Sequence, residues 1–188
     1  MTAESPLMDH LIDRAVLSLR RINDVFAVAA GLALLVTAGY ILADIILRRF
    51  DASFGGTDEI SGYVMAGVTS WAMAYALTKL AHVRIDLVRA KLRPLGRALM
   101  DCLALWTLAA TALYIAYQGW PVLARSIRLG STANTPLETP LWIPQTLWWS
   151  GWAWFAFSAS VLALALLWNT ARGRLKQAEA AGGVGAEL

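Results

Sequence analysis

Charged residues, histidine and cysteine are all scarce in this sequence. Only 15% of its 188 residues are charged, compared with about 25% in soluble domains. A single cysteine, Cys102, excludes an internal disulfide and a metal-binding cysteine cluster. The only histidines, His10 and His82, lie outside the long apolar segments, which argues against a haem held between membrane helices.

Recognisable catalytic motifs are also lacking. The sequence has no phosphate-binding loop or dinucleotide fingerprint, and its few histidines and cysteines cannot supply a catalytic triad or a metal site. We therefore predict a protein that is not an enzyme and has no cofactor or metal. The net charge of +3 does not indicate a nucleic-acid partner, because the positive residues lie in short segments between apolar blocks.

Apolar residues, by contrast, are abundant and gathered into long blocks. Hydrophobic residues make up 58% of the chain, and its mean hydropathy is +0.54. Four blocks contain 19 to 33 uncharged residues each, and about 20 apolar residues allow a helix to cross about 30 Å of hydrocarbon. Pro140 and Pro144 place the start of the last helix near Gln145. The predicted fold is all-α and integral to the membrane, with four transmembrane helices over 25–47, 60–80, 98–120 and 146–168.

Other segments surround this membrane domain of residues 25–168. In the N-terminal segment 1–24, the pattern of apolar residues between 6 and 22 predicts an amphipathic helix. A short interfacial helix is predicted between spans two and three, following Asp86 and ending at Pro94. The tail 169–188 is predicted to be disordered in its Ala- and Gly-rich part.

The distribution of positive residues predicts the orientation. Twelve of the sixteen Lys and Arg residues lie before the first span, around the connection of the second and third, or after the fourth. The twelve include Lys79, at the end of the second span. The remaining four are Arg48, Arg49, Arg125 and Arg128. Because Lys and Arg are enriched in cytoplasmic loops, both termini are predicted to be cytoplasmic.

Small residues in the second span form a stripe at every fourth position. Its members are Gly62, Ala66, Ser70 and Ala74, with Gly67 beside them. Such a stripe allows another helix to approach closely in lipid. That helix can belong to this chain or to another subunit, and both interpretations remain open at this stage.

Tryptophan is concentrated at the start of the fourth span. The residues are Trp142, Trp148, Trp149, Trp152 and Trp154. Because tryptophan favours the membrane–water interface, they predict an interfacial belt that sets the depth of the helix. An aromatic docking surface for a partner is the alternative.

The acidic residues near the span ends have local explanations. Asp44 precedes Arg48 by four residues, so a local ion pair is expected. Glu59 opens the second span, where a carboxylate suits the positive end of a helix. Pairing of Glu59 with Arg48 or Arg49 would instead clamp the outer connection.

Several short motifs occur at characteristic places along the chain. They are Arg49-Phe50, Thr57-Asp58-Glu59-Ile60, Gly67, His82-Val83-Arg84-Ile85-Asp86, Gly130-Ser131 and Pro140-Leu141-Trp142-Ile143-Pro144. Together with length and span number, they resemble the small membrane subunit (DctQ type) of tripartite ATP-independent periplasmic (TRAP) transporters over about residues 22–168. Gly56 and Leu80-Ala81 depart from the family pattern, which often has Trp before the acidic pair and Gly before the histidine.

The resemblance implies a role in solute transport. Such a subunit associates with a large membrane subunit that carries the sodium-coupled transport path, and together they receive substrate from a periplasmic substrate-binding protein. The small subunit is expected to act as a scaffold, or stator, surrounded by lipids of the bacterial inner membrane. Family substrates are typically organic acids, such as C4-dicarboxylates or sialic acid.

The resemblance also marks individual family-motif positions. They are Arg49, Glu59, His82, Arg84 and Asp86. On a helix His82 and Asp86 would share a face, but Asp86 is equally suited to cap the short helix that follows. Two other classes of protein remain as alternatives. The small subunit of a tripartite tricarboxylate transporter has similar size and span number, although the His82–Asp86 motif favours the TRAP type. The other alternative is an unrelated four-helix membrane protein. If that protein were an enzyme or electron carrier, it would need ligand residues in the spans, and the sequence lacks them.

Overall fold

The structure of the chain, a computed structural model, describes residues 5–79 and 91–174. Most of these residues belong to four α-helices: α1 (Ser5–Leu47), α2 (Thr57–Thr78), α3 (Pro94–Leu129) and α4 (Trp142–Ala171). A short 3₁₀ turn, Arg48–Phe50, follows α1 directly. The prediction of an all-helical chain is confirmed over this range. The predicted interfacial helix falls largely on residues 80–90, and most of the predicted disordered tail follows Arg174, so both lie outside the described residues.

The first helix is much longer than the predicted first span. α1 contains 43 residues, which makes it about 64 Å long and roughly twice the thickness of the hydrocarbon core. The amphipathic segment 6–22 and the span 25–47 are one continuous helix. No Gly or Pro occurs between Pro6 and Gly31, so the local sequence contains nothing that would end a helix near residue 24.

The third helix also extends beyond its predicted end. α3 begins at Pro94, passes through Pro121 and continues to Leu129. Pro121 removes one backbone donor, a loss that membrane helices tolerate when neighbouring groups satisfy the freed carbonyl. The helix ends instead at Gly130, whose φ of 58° places it in the left-handed conformation typical of a helix C-terminus.

The fourth helix begins earlier than the prolines predicted. α4 starts at Trp142, so Pro144 lies in its first turn. Proline is tolerated there because the first backbone N–H groups of a helix have no intrahelical acceptor. Pro144 is therefore the third residue of α4 and does not precede the helix.

α4 lies at the centre of the bundle. It packs against both α2 and α3, and α1 packs mainly against α2. The contacts that give the helix directions are Asn23–Thr78 and Phe26–Trp71, Gly67–Leu147 and Ser70–Gly151, and Cys102–Thr170 and Ala116–Trp149. They make α1 antiparallel to α2, α2 parallel to α4, and α3 antiparallel to α4. The four helices thus alternate in direction along the chain.

The two described ends of the chain meet. Arg174, just after α4, forms an ion pair of 2.7 Å with Asp9 in the first turns of α1. Trp168 also donates its indole N–H to Asp9 at 3.0 Å. The beginning of α1 and the end of α4 therefore lie at the same end of the bundle.

Small side chains of α3 and α4 form a large part of the buried core. The buried alanines there are Ala109, Ala112, Ala156, Ala159 and Ala163, accompanied by Leu105 and Leu162. Alanine allows close van der Waals contact between helices, which is the main attraction available to helices in lipid. The core of the bundle is accordingly centred on α4.

Within the described residues, 5–79 and 91–174, three helices are long and apolar enough to cross a membrane. They correspond to α1, α3 and α4, whereas α2 is not in this group. α2 contains many small, hydroxyl-bearing and aromatic residues, which lower its mean hydropathy. Large apolar side chains remain exposed on the outer helices, such as Leu35 on α1 (72% exposed) and Leu103 on α3 (70% exposed). Such exposure suits a lipid environment.

Candidate functional site

A buried carboxylate organises the connection between α1 and α2. Asp44 is 1% exposed and pairs with Arg48 at 2.7 Å, as the local spacing predicted. Its other oxygen accepts hydrogen bonds from the hydroxyl of Ser53 at 2.8 Å and from the backbone N–H of Phe54 at 2.9 Å. Charge-assisted bonds of this kind are stronger than neutral ones. Asp44 therefore fixes the path of residues 48–54 at this end of the bundle.

The family-motif residue Arg49 lies beside this network. Both Arg49 and Phe50 are exposed, Phe50 by 77%. The next aromatic residue, Phe54, stacks on Tyr40 of α1 with ring centres 5.3 Å apart. The connection thus presents Arg49 and Phe50 outward while Phe54 packs back on the helix.

Glu59 contacts the connection between α3 and α4. Tyr63 donates its hydroxyl to Glu59 Oε1 at 2.8 Å. The hydroxyl of Thr135, followed by those of Tyr63 and Thr139, holds the pKa of Glu59 below its ordinary value, and burial opposes this effect. Thr135 Oγ1 and Glu59 Oε2 are both buried but do not have the geometry of a full hydrogen bond. Glu59 therefore lies against residues 135–139, while Arg48 pairs with Asp44.

Asn23 joins three helices near the other end of α2. Its side chain is fully buried and donates to the carbonyl of Ala74 at 3.2 Å and to Thr78 Oγ1 at 3.4 Å. Its own oxygen accepts the indole N–H of Trp154 at 2.7 Å. Asn23 was not among the residues predicted from the sequence. A polar amide beside an apolar block was the available signal, because such side chains bond across helices in membranes.

An ion pair and an aromatic cluster reinforce the same region. Lys79 pairs with Asp24 at 2.7 Å, and its ammonium lies 5.5 Å from the centre of the Tyr75 ring. Phe26 packs edge-on against Trp71 at 4.3 Å and against Trp154 at 5.7 Å. α1, α2 and α4 are thereby held together by polar and aromatic contacts at one level.

The small-residue stripe of α2 divides into two parts. Ser70 and Ala74 are buried, and Gly67 is also buried, against Leu147 of α4. Ala66 is half-buried, and Gly62 is exposed with no heavy atom within 4 Å of an added β-carbon. The part nearer Thr78 thus packs within the chain, whereas Gly62 remains open.

The tryptophans of α4 mostly contact neighbouring helices. Trp149 donates its indole N–H to the carbonyl of Ala116 on α3 at 2.8 Å. Trp148 and Trp152 pack edge-on at 6.4 Å, and both are half-buried. Trp142 is 46% exposed. These contacts add a packing role to the interfacial belt, which itself remains a prediction.

The motif containing His82, Arg84 and Asp86 lies outside the described residues. Within residues 5–79 and 91–174, no group of three or more His, Cys, Asp or Glu side chains is placed to bind a metal ion. The polar groups that are brought together in this range connect helices and loops.

The fold and these contacts define a helical membrane protein with several spanning helices and exposed apolar flanks. The family model "Tripartite ATP-independent periplasmic transporters, DctQ component" matches residues 37–173. The chain belongs to this family and is the small membrane subunit of a TRAP transporter, which confirms the resemblance seen in the motifs and distinguishes it from the tricarboxylate alternative. The family associates with the other TRAP components. No curated protein and no solved structure matches the chain.

Proposed function

We propose that this chain is a non-catalytic scaffold subunit that supports the large membrane subunit of its transporter. The observation that carries the proposal is the family match over residues 37–173. The complex would take up an organic acid from a periplasmic substrate-binding protein, with sodium as the coupling ion. The chain would reside in the bacterial inner membrane.

The packing of α1, α2 and α4 supports a scaffold role. Asn23 bonds to both other helices, and Ser70 lies against Gly151 with almost no space between them. Packed elements that share buried polar contacts move as a unit, because separating them leaves those groups unsatisfied. We expect such a rigid unit to support the large membrane subunit while that subunit moves.

We further propose that α2 is a fourth membrane-crossing helix. Its 22 residues correspond to about 33 Å, enough to cross the hydrocarbon core. Its antiparallel packing on α1 and parallel packing on α4 fit a chain that crosses alternately. With the Lys and Arg distribution, this arrangement supports cytoplasmic termini.

The chain is not expected to transport solute alone. The predicted spans have no charged residue at their centres, and α2 and α4 are unbroken helices. Coupled transporters usually place an intramembrane charge or a broken helix at the substrate site. The transport path is therefore assigned to the large subunit.

Reconstitution tests this division of labour. Liposomes containing only this chain should show no uptake of organic acids in a sodium gradient, even with the binding protein added. Liposomes that also contain the large subunit should accumulate the solute. Sodium-dependent uptake by the chain alone would overturn the scaffold proposal.

A further inference from the structure

An apolar groove runs between the first turns of α1 and the last turns of α4. Its volume is about 470 Å³, within the range of ligand pockets. Ile12 and Ala15 form one wall, and the α4 residues Val161, Leu164, Trp168 and Ala171 form the other. Between Val161 and Ala171 the groove follows α4 for about 15 Å, which is about half the thickness of the hydrocarbon core. Its length therefore matches one leaflet of a bilayer.

Basic groups lie at the end of the groove where α4 leaves its uncharged block. The guanidinium of Arg172 lies 4.1 Å from the centre of the Trp168 ring, which forms part of the groove wall. Arg172 and Arg174 share a single carboxylate, that of Asp9, at 3.4 and 2.7 Å. On the next turn of α1, Asp13 and Arg14 carry opposite charges and together add no net charge. Two guanidiniums against one carboxylate leave a net positive charge beside an apolar channel.

We propose that this groove binds one anionic phospholipid from the leaflet that surrounds the start of α1 and the end of α4. An acyl chain would lie between α1 and α4, and the headgroup would contact Arg172. The length of the groove is close to that of one leaflet, which points to an acyl chain as its occupant. The excess positive charge at Arg172 and Arg174 favours an anionic headgroup. Basic pockets between membrane helices bind anionic headgroups. Tryptophan is enriched at the membrane–water interface, which is the depth at which these headgroups lie. The proposal does not depend on the scaffold role.

Lipid binding to the purified full-length chain tests the headgroup contact. Native mass spectrometry in detergent should show phosphatidylglycerol retained in preference to phosphatidylcholine. Arg172→Gln should weaken phosphatidylglycerol binding about fivefold, the equivalent of about 1 kcal/mol for one surface arginine. Arg125→Gln removes an exposed arginine at the opposite end of the bundle and should leave binding unchanged.

A second pair of variants tests the groove itself. Ala15→Phe should fill the groove and abolish the preference for phosphatidylglycerol, whereas Ala104→Phe, at an exposed position of α3, should preserve it. Circular dichroism would show whether Ala15→Phe folds, and Arg172→Gln decides the question if it does not. Equal retention of the two lipids by the unmodified chain would overturn the proposal. So would loss of phosphatidylglycerol on assembly with the large subunit, since a protein surface would then occupy the groove.

Discussion

Ser70 of α2 lies directly against Gly151 of α4. A β-carbon added to Gly151 would fall 2.7 Å from Ser70 Cβ and 2.8 Å from Trp71 Cδ1, closer than real side chains approach. The Ser70 hydroxyl is satisfied within its own helix by donating to the Gly67 carbonyl at 2.8 Å. The two helices thus approach as closely as a glycine permits, which maximises their van der Waals contact.

Replacing Gly151 should therefore weaken the bundle. Gly151→Ala is expected to lower the free energy of unfolding in detergent by about 1–3 kcal/mol, because the extra methyl group must push α2 and α4 apart. Gly62→Ala is the matched control, since Gly62 has free space around it and alanine favours a helix by up to about 1 kcal/mol. Equal losses in the two variants would contradict the close contact.

Leucine substitutions distinguish the buried part of the small-residue stripe from its open part. Ser70→Leu should destabilise the isolated chain, because Ser70 is 2% exposed and faces α4. Gly62→Leu should leave the isolated chain stable, because that position is open. Thermal unfolding of both variants, followed by co-purification with the large subunit, provides the measurement. If only Gly62→Leu reduces co-purification, the large subunit lies over the open part of the stripe. A stable Ser70→Leu variant would contradict the close packing of Ser70 against α4.

The lowered pKa of Glu59 predicts a pH-dependent stability. Glu59 lies just before the predicted span 60–80. A carboxyl whose pKa is lower in the folded state stabilises that state at pH values above its ordinary pKa. This contribution is lost as pH falls through the folded-state pKa. Glu59→Gln should therefore be less stable than the unmodified chain near neutral pH, and the difference should shrink below about pH 4.

Thermal unfolding between about pH 6 and pH 3.5 measures this difference. Asp58→Asn, which removes the neighbouring exposed acid, should retain the pH dependence of the unmodified chain. A constant difference between Glu59→Gln and the unmodified chain across the whole range would show that the carboxylate does not contribute in this way.

Reporter fusions test the predicted orientation. A reporter active only in the cytoplasm should be active when fused after Leu188 or within residues 84–94. It should be silent within 51–57 or 131–138, because the few positive residues near those connections place them on the opposite side. The reverse pattern would overturn the charge argument.

Much of the helical architecture could be predicted from composition. Long uncharged blocks place helices in the correct parts of the chain, because the requirement to satisfy backbone groups in lipid leaves few alternatives to a helix. Helix ends were less predictable. The third span was predicted to end at residue 120, but α3 continues through Pro121 to Leu129. It ends before Gly130, because one missing backbone donor perturbs a helix less than a residue in the left-handed conformation.

The pairing of side chains was less accessible to sequence reasoning. The Asp44–Arg48 pair could be predicted, because four residues along a helix separate the two partners. The contact of Glu59 with Thr135 and Thr139 could not, since those residues belong to a distant connection. The same applies to Asn23, whose partner Trp154 is 131 positions away.

The sequence by itself determined the membrane class, the approximate helices and the family, because hydropathy and short motifs are properties of neighbouring residues. The tertiary structure decided which side of α2 is buried, which tryptophans bond to other helices, and how the start of α1 meets the end of α4 through Asp9 and Arg174. A stripe of small residues is compatible with any partner helix. Only the three-dimensional arrangement places Gly151 opposite Ser70 and leaves Gly62 open, because steric fit depends on both surfaces at once.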